Sequence, residues 1–310
     1  MRIAVVTTSY PTHDGDPSGH FVETEAAELE REGHHVLVVR PEPGGAFGWP
    51  GAPTRIRERP SRAFEATAWM ARAAIDLRRF APERIIAHWC IPSAFPIVLG
   101  TAGFSAVRTG GGADLEVVSH GGDVRLLCAL PARVRTRIVR ALLRRATRWR
   151  FVSEELLTAL ASSLAPEDAQ LLRATAEVVP GALEIPDVRE EVRAKRNEIG
   201  ARRLYVCAGR LVASKRIDKV IDYVATSPNH GTTRDQRVLV VLGDGPERAH
   251  LERLANAWRF DVRFLGKTSR RETLGWIGAA DELVHASHVE GLSTVVREAE
   301  TLGVPVTILS

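Results

Sequence analysis

The chain has 310 residues, 45% of them hydrophobic, which is enough apolar material for two globular domains of ordinary size. Its formal charge of +4 comes almost wholly from arginine, since the only lysines are Lys195, Lys215, Lys219 and Lys267; the excess suits anionic ligands or membrane surfaces without identifying either. Cys90, Cys128 and Cys207 lack the paired spacing of a zinc or redox motif and read as buried, reduced thiols, as in a cytoplasmic protein.

Residues 1–10 enter a short apolar run with no basic leader and no small-residue cleavage site, which predicts a strand in place of a signal peptide and a protein that is not secreted. Residues 3–7 are β-rich, 23–32 have helical spacing ended by Gly33, and 36–39 are apolar again, which makes one βαβ unit. Between the first strand and the first helix, residues 9–21 form a turn-rich loop containing Gly15 and Gly19, where a flexible backbone can approach a ligand. The same residues read equally well as an ordinary polar surface loop. The longest uncharged stretch, 85–107, has the length of a membrane span, but His88, Pro92, Pro96, Gly100 and Gly103 interrupt it, so a buried strand followed by a helix is predicted.

Strands follow at 84–87, 116–119, 148–152 and 177–179, with helical segments between most of them. Residues 133–150 place Val134, Ile138, Leu142, Ala146 and Trp149 at helical spacing, with Arg133, Arg137, Arg140, Arg144, Arg145 and Arg148 in the basic remainder, so the segment suits an anionic membrane surface or a helix packed on its own sheet with its arginines in water. Nucleic acid is not a predicted partner, because the basic residues are not interleaved with aromatics and match no binding motif. A composition shift at 181–200 predicts a linker. A second alternating series then gives strands at 204–208, 237–242, 262–265, 282–285 and 304–309. The fold class is therefore α/β, with two doubly wound domains, 1–180 and 201–310, whose parallel sheets share an interdomain cleft.

Several groups fall at predicted strand ends. His120-Gly121-Gly122-Asp123 follows an apolar run, although a lone histidine there is by itself more often structural. Gly209-Arg210 ends a strand and Lys215 follows before a helix; a guanidinium and an ammonium at such a turn can hold a diphosphate, or be two solvated charges beside a loop. Gly243-Asp244-Gly245-Pro246 permits a tight turn, lacks the Lys-Ser/Thr pair of a Walker loop, and contributes backbone shape. In the run 288–300, Glu290 lies in a turn and Glu298 stands eight residues on in a helix, while the amides of Gly291, Leu292 and Ser293 at the helix start offer a phosphate site. Glutamates are good helix formers, so the pair alone is also compatible with solvated side chains.

In order and spacing, these segments resemble the donor domain of the retaining GT-B glycosyltransferases of family four, and the resemblance covers nearly all of the chain. It implies that Arg210 and Lys215 bind the donor diphosphate, Glu298 the ribose and Glu290 the transferred sugar. It further implies that His120 lies beside that sugar, that Gly121, Gly122 and Asp123 shape the acceptor side, and that the loop of Gly19 approaches the donor phosphates. The implied partners are a nucleoside-diphosphate sugar and a saccharide, lipid-linked or small-molecule acceptor, with peripheral contact at an anionic membrane left open. No cofactor is implied, and with no Asp-x-Asp pair suitably placed, no obligate metal is expected.

Two departures bear on this reading. Residues 179–184 read Val-Pro-Gly-Ala-Leu-Glu where the family commonly has Pro-Asn-Gly-Val-Asp, and the family continues past the strand at 304–309 with further helices. The expectation is a fragment or an unusually short member, and a donor-binding but inactive or regulatory relative is the competing reading. A nucleotide-sugar epimerase fits poorly, since neither its GxGxxG turn after the first strand nor its Tyr-x-x-x-Lys pair is present.

Overall fold

The computed structural model describes the chain apart from residues 14, 15, 17, 48–51, 96, 98–112, 182, 227–235, 259, 287–292 and 310. Most of the helix expected after the strand at 84–87 lies outside the described residues. The chain forms two compact units, Met1–Thr12 with Ser18–Ala182, and His13–Pro17 with Leu183–Ser310.

The first unit contains strands β1 (Arg2–Val6), β2 (His35–Val39), β3 (Arg84–His88), β4 (Asp114–Ser119), β5 (Arg148–Phe151) and β6 (Ala176–Val178). Its helices are α1 (His20–Arg31), α2 (Ala52–Glu58), α3 (Arg62–Phe80), α4 (Gly122–Ala129), α5 (Ala132–Leu143), α6 (Glu154–Ser162) and α7 (Pro166–Thr175). All strand pairs are parallel, in the order β2-β1-β3-β4-β5-β6. Four successive residues of β1 and four of β3 are buried, the pattern of strands covered on both faces. On one face Val22, Ala26 and Leu29 of α1 meet Ile3, Val5, Ile86 and Val118.

The basic helix is shorter than its spacing suggests. It ends at Leu143, and Thr147 N–H donates to Leu115 O at 2.8 Å to start the pairing of β5 with β4. Arg148 and Trp149 therefore belong to a strand, with the Trp149 indole fully buried and its Nε1–H donated to Ser119 Oγ at 3.0 Å. The apolar-aromatic run 149–152 gains more by entering the sheet than by extending an exposed helix. Cys90 and Cys207 are buried, whereas Cys128 is only partly so.

The second unit contains α8 (Arg189–Ile199), β7 (Arg203–Ala208), α9 (Ile217–Thr226), β8 (Arg237–Leu242), α10 (Arg248–Trp258), β9 (Asp261–Gly266), α11 (Arg270–Ala279), β10 (Glu282–His285), α12 (Thr294–Thr301) and β11 (Val306–Ile308). Its parallel sheet runs β11-β10-β7-β8-β9. One face packs on Ile217, Val220, Ile221 and Val224 of α9 and Leu251 of α10; the other packs on Trp276 and Ile277 of α11 and Ala299 of α12. Within the charged stretch 181–200, α8 lies against α11 so closely that a Cβ at Gly275 would stand 2.6 Å from Glu191 Cβ. Asp281 fastens this side, accepting from Leu204 N–H at 2.7 Å and from Arg196 Nη1 at 2.9 Å.

The turn after β8 sits directly on the turn after β7. Leu211 N–H donates to Asp244 O at 3.0 Å and Glu247 N–H to Leu211 O at 3.0 Å. Gly243, at φ 123°, has no room for a side chain: a Cβ there would lie 2.0 Å from Gly209 O. Gly243→Ala should destabilise the second unit by about 2 kcal/mol or more, combining backbone strain with displacement of the Gly209 loop. Urea unfolding measures this, and a midpoint unchanged from the native chain would show that the two turns are not packed in this way.

Candidate active site

In each sheet the chain reverses its direction of winding once. In the first, β1 leads outward to β2 and the chain returns to β3 on the other side of β1; in the second, β10 returns beside β7 after β8 and β9. The loops at the carboxyl ends of β1 and β3, and of β7 and β10, are where open parallel sheets bind ligands.

In the first unit, the turn after β4 carries His120, Gly121, Gly122 and Asp123. Gly121 adopts φ 108°, open to glycine and strained for other residues. Asp123 is buried and holds the turn from inside: Oδ1 accepts from His120 N–H at 3.1 Å and Gly121 N–H at 3.0 Å, and Oδ2 accepts from Cys90 N–H at 2.8 Å. Its carboxylate is thus committed to the backbone. The His120 residue is partly exposed, with its ring among those of Trp89 (4.7 Å between centroids), Phe21 (4.8 Å) and His88 (5.3 Å).

Gly19 precedes α1 in the left-handed region, φ 68°, and a Cβ there would lie 2.3 Å from Ser9 O. It lets the loop fold back onto the end of β1 and so places Phe21 against His120. Trp89, with φ 64°, is an uncommon conformation for a bulky residue, held where its backbone N–H donates to Val118 O at 2.7 Å. Sequence reading passed over Phe21, His88 and Trp89. The available signal was topological: β3 and β4 are neighbours, so whatever ends β3 stands beside whatever ends β4.

In the second unit, Arg210 is exposed and Lys215 partly so, both in the loop after β7. The Lys215 stem passes beside Gly209, 3.9 Å from where a Cβ would be. Its ammonium acts on two buried groups. His285, the last residue of β10, is lowered to about 4 by burial and then by Lys215; burial raises the Cys207 thiol to about 12 against the pull of the same lysine. The charge of Lys215 is therefore felt at the ends of β7 and β10, which neighbour each other in the sheet. Ser293 is the residue before α12 and makes no side-chain cap. Glu290, Gly291 and Leu292 lie outside the described residues.

Glu298 is 3% exposed on α12, and Arg270, the first residue of α11, donates Nη1–H to its Oε1 at 2.5 Å. Burial raises its carboxyl above the usual range, and the guanidinium opposes that rise. Arg270 also donates Nη2–H to Glu184 O at 2.7 Å. A single arginine at a helix start reads in sequence as a solvated charge, so its service to Glu298 is visible only in the fold. Among the described residues no group of three or more His, Cys, Asp or Glu could hold a metal ion, and no helix is long and apolar enough to cross a membrane.

Burial lowers His88 from the usual 6.5 to about 3, with Arg150 adding to the effect, and burial followed by His88 acts on His120 in the same direction. The unfolded chain therefore binds protons near pH 6.5 that the folded chain refuses. Stability present above pH 6.5 should be lost as pH falls towards 3, by up to about 1.4 kcal/mol per pH unit for each imidazole. Thermal melting between pH 7.5 and 5 tests this, and a flat profile would mean that the imidazoles can charge in place.

Residues 188–309, most of the second unit, match the model of the family described as Glycosyl transferases group 1. A Bacillus subtilis glycosyltransferase assigned to teichuronic acid biosynthesis, TuaC, is 25% identical over 99% of this chain and 80% of its own length. A GDP-mannose-dependent alpha-mannosyltransferase of Mycobacterium tuberculosis is 27% identical over 99% of this chain and 78% of its own. Among solved structures, Anabaena HepE in complex with UDP-glucose superposes with a TM-score of 0.66 at 17% identity, covering 99% of this chain and 80% of that one, which shows the GT-B fold. The family model thus covers most of the second unit, and both glycosyltransferases align along nearly the whole chain.

Proposed function

We propose that the chain moves a sugar from a nucleoside-diphosphate sugar to an acceptor hydroxyl with retention of configuration, in the synthesis of a polysaccharide, glycolipid or other glycoconjugate. The observation that carries the donor site is the placement of the Lys215 stem beside Gly209, in the loop after β7 that also carries Arg210. The chemistry is substitution at the anomeric carbon, and the need is to neutralise charge growing on the departing diphosphate. Arg210 supplies a planar fork and Lys215 a point charge for it. The amide of Ser293, just before α12, supplies a dipole, and Gly291 and Leu292 precede it in the sequence. Glu298, held by Arg270, takes the ribose hydroxyls, and Glu290 takes the sugar. His120 stands beside the transferred sugar on a turn kept rigid by Asp123, and Gly121 and Gly122 leave room for the ligand. With two cations and a helix start on the diphosphate, the reaction needs no divalent metal.

The relatives differ in the donor they name: a mannosyltransferase is described as GDP-mannose-dependent, and HepE was solved with UDP-glucose. Titration calorimetry of the chain against UDP-, GDP- and ADP-sugars without added metal should show one class binding. Arg210→Ala should weaken that binding about tenfold or more. Glu298→Ala should weaken nucleotide binding, whereas His120→Ala should leave affinity largely intact and lower transfer. Effects on thermal stability alone, with donor affinity unchanged in all three, would sink the assignment. No binding by the folded chain would favour an inactive relative.

For the acceptor side we propose peripheral contact of α5 with anionic lipid. Val139 and Leu142 face the interior and Arg140 pairs with Asp168 at 2.7 Å, while Arg133, Val134 and Arg137 are exposed. Cosedimentation with vesicles containing phosphatidylglycerol should exceed that with neutral vesicles and fall in Arg133→Ala/Arg137→Ala; equal sedimentation with both would leave α5 an ordinary surface helix.

A further inference from the structure

Beneath His120 runs a line of buried and half-buried polar groups to which the proposed transfer gives no task. His88 is buried at the end of β3, and its Nδ1 is 3.0 Å from His120 Nε2, the two rings stacked with planes 18° apart. Its other nitrogen, Nε2, is buried without a hydrogen-bond partner among the described residues, and Glu25 Oε2 of α1 lies 3.5 Å from it. That is ion-pair distance, longer than a hydrogen bond. Glu25 is fixed through its other oxygen, which accepts from Arg150 Nη2 of β5 at 2.5 Å. Arg150 also pairs with Glu116 of β4, which in turn accepts from Arg84 of β3 at 2.5 Å.

These contacts decide where the imidazole protons sit. Two neutral imidazoles joined Nδ1 to Nε2 share one proton, so one ring must donate and the other accept. Both are neutral, because burial and the Arg150 charge oppose protonation more strongly than Asp123 favours it. A carboxylate beside His88 Nε2 stabilises an N–H directed at it, which fixes the His88 proton on Nε2 and leaves Nδ1 with its lone pair. His120 must then donate from Nε2–H, and its Nδ1, which has no partner among the described residues, becomes an acceptor.

We propose that Glu25 and His88 are positioning residues that set the tautomer of His120, so that its Nδ1 presents a hydrogen-bond acceptor to a hydroxyl of the bound sugar. The proposal rests on the placement of His120 beside the donor sugar, and it adds a direction to that contact: the ligand donates and the protein accepts.

The tautomer can be read without any ligand. Long-range nitrogen–proton NMR correlation on the histidine-labelled full chain, with His120 assigned by its loss in His120→Ala, should show a protonated Nε2 and a bare Nδ1. His88→Leu removes the acceptor and should leave His120 as a mixture of tautomers. His88→Asn, whose amide oxygen can take the place of Nδ1, should restore the single form. With the sugar nucleotide that binds in the calorimetric panel, His88→Leu should keep Kd within about twofold and lose about tenfold in kcat for slow donor hydrolysis, most of it regained in His88→Asn. A proton on Nδ1 of His120 in the native chain, or an unchanged His120 tautomer in His88→Leu, would overturn the proposal. If His88→Leu does not fold, the native spectrum decides alone. Failure of every sugar nucleotide to bind would count against the donor reading and leave the tautomer result standing on its own.

Discussion

Parallel strands buried on both faces leave a chain one place to put its charged chemistry. Apolar helices close the second sheet above and below and α1 covers a face of the first, so charged groups emerge with the loops at the strand ends. Where the winding reverses, neighbouring loops part and leave a recess. His120 with Trp89 in one unit and Lys215 with His285 in the other all stand at strand ends at or next to that reversal. The rest of the arrangement keeps those loops still: three amides on Asp123, the paired turns of Gly209 and Gly243, and the guanidinium of Arg270 on Glu298.

Periodicity made most of the strands legible, because runs such as 237–242 and 282–285 are buried on both faces and carry no competing helical spacing. Burial decided where two spacings overlapped. Trp149 fits both the apolar stripe of the basic helix and the strand expected at 148–152, and its large ring is buried in β5. The stretch 181–200 looks like a linker by charge, but α8 within it presents Val192 to the core beside α11.

The site was legible in proportion to how local its parts are. Gly243-Asp244-Gly245 and His120-Gly-Gly-Asp123 are contiguous, and their glycines announce tight backbone. His88, Glu25 and Arg150 come from three separate elements, each unremarked by its neighbours in sequence, and only the strand order β1-β3-β4-β5 with α1 above it brings them together. Arg270 belongs to the same class, 28 residues from the carboxylate it serves. Paired carboxylates and glycine turns are readable one segment at a time; the partners that fix their protonation and aim are not.

The contact of Gly243 and Gly245 with the preceding loop has a consequence for how such a chain can vary. A methyl group at either position collides with main-chain atoms, of Gly209 or of Leu211, and a backbone carbonyl cannot swing aside as a side chain can. The path of the loop is therefore closed to gradual adjustment from the β8 side, and substitutions there are lost before they can alter ligand preference. Arg210, exposed on the same loop, carries no such restriction. Variation in what this edge of the sheet recognises is channelled into side chains mounted on a fixed track, which separates the freedom to change a ligand from the freedom to move the loop that meets it.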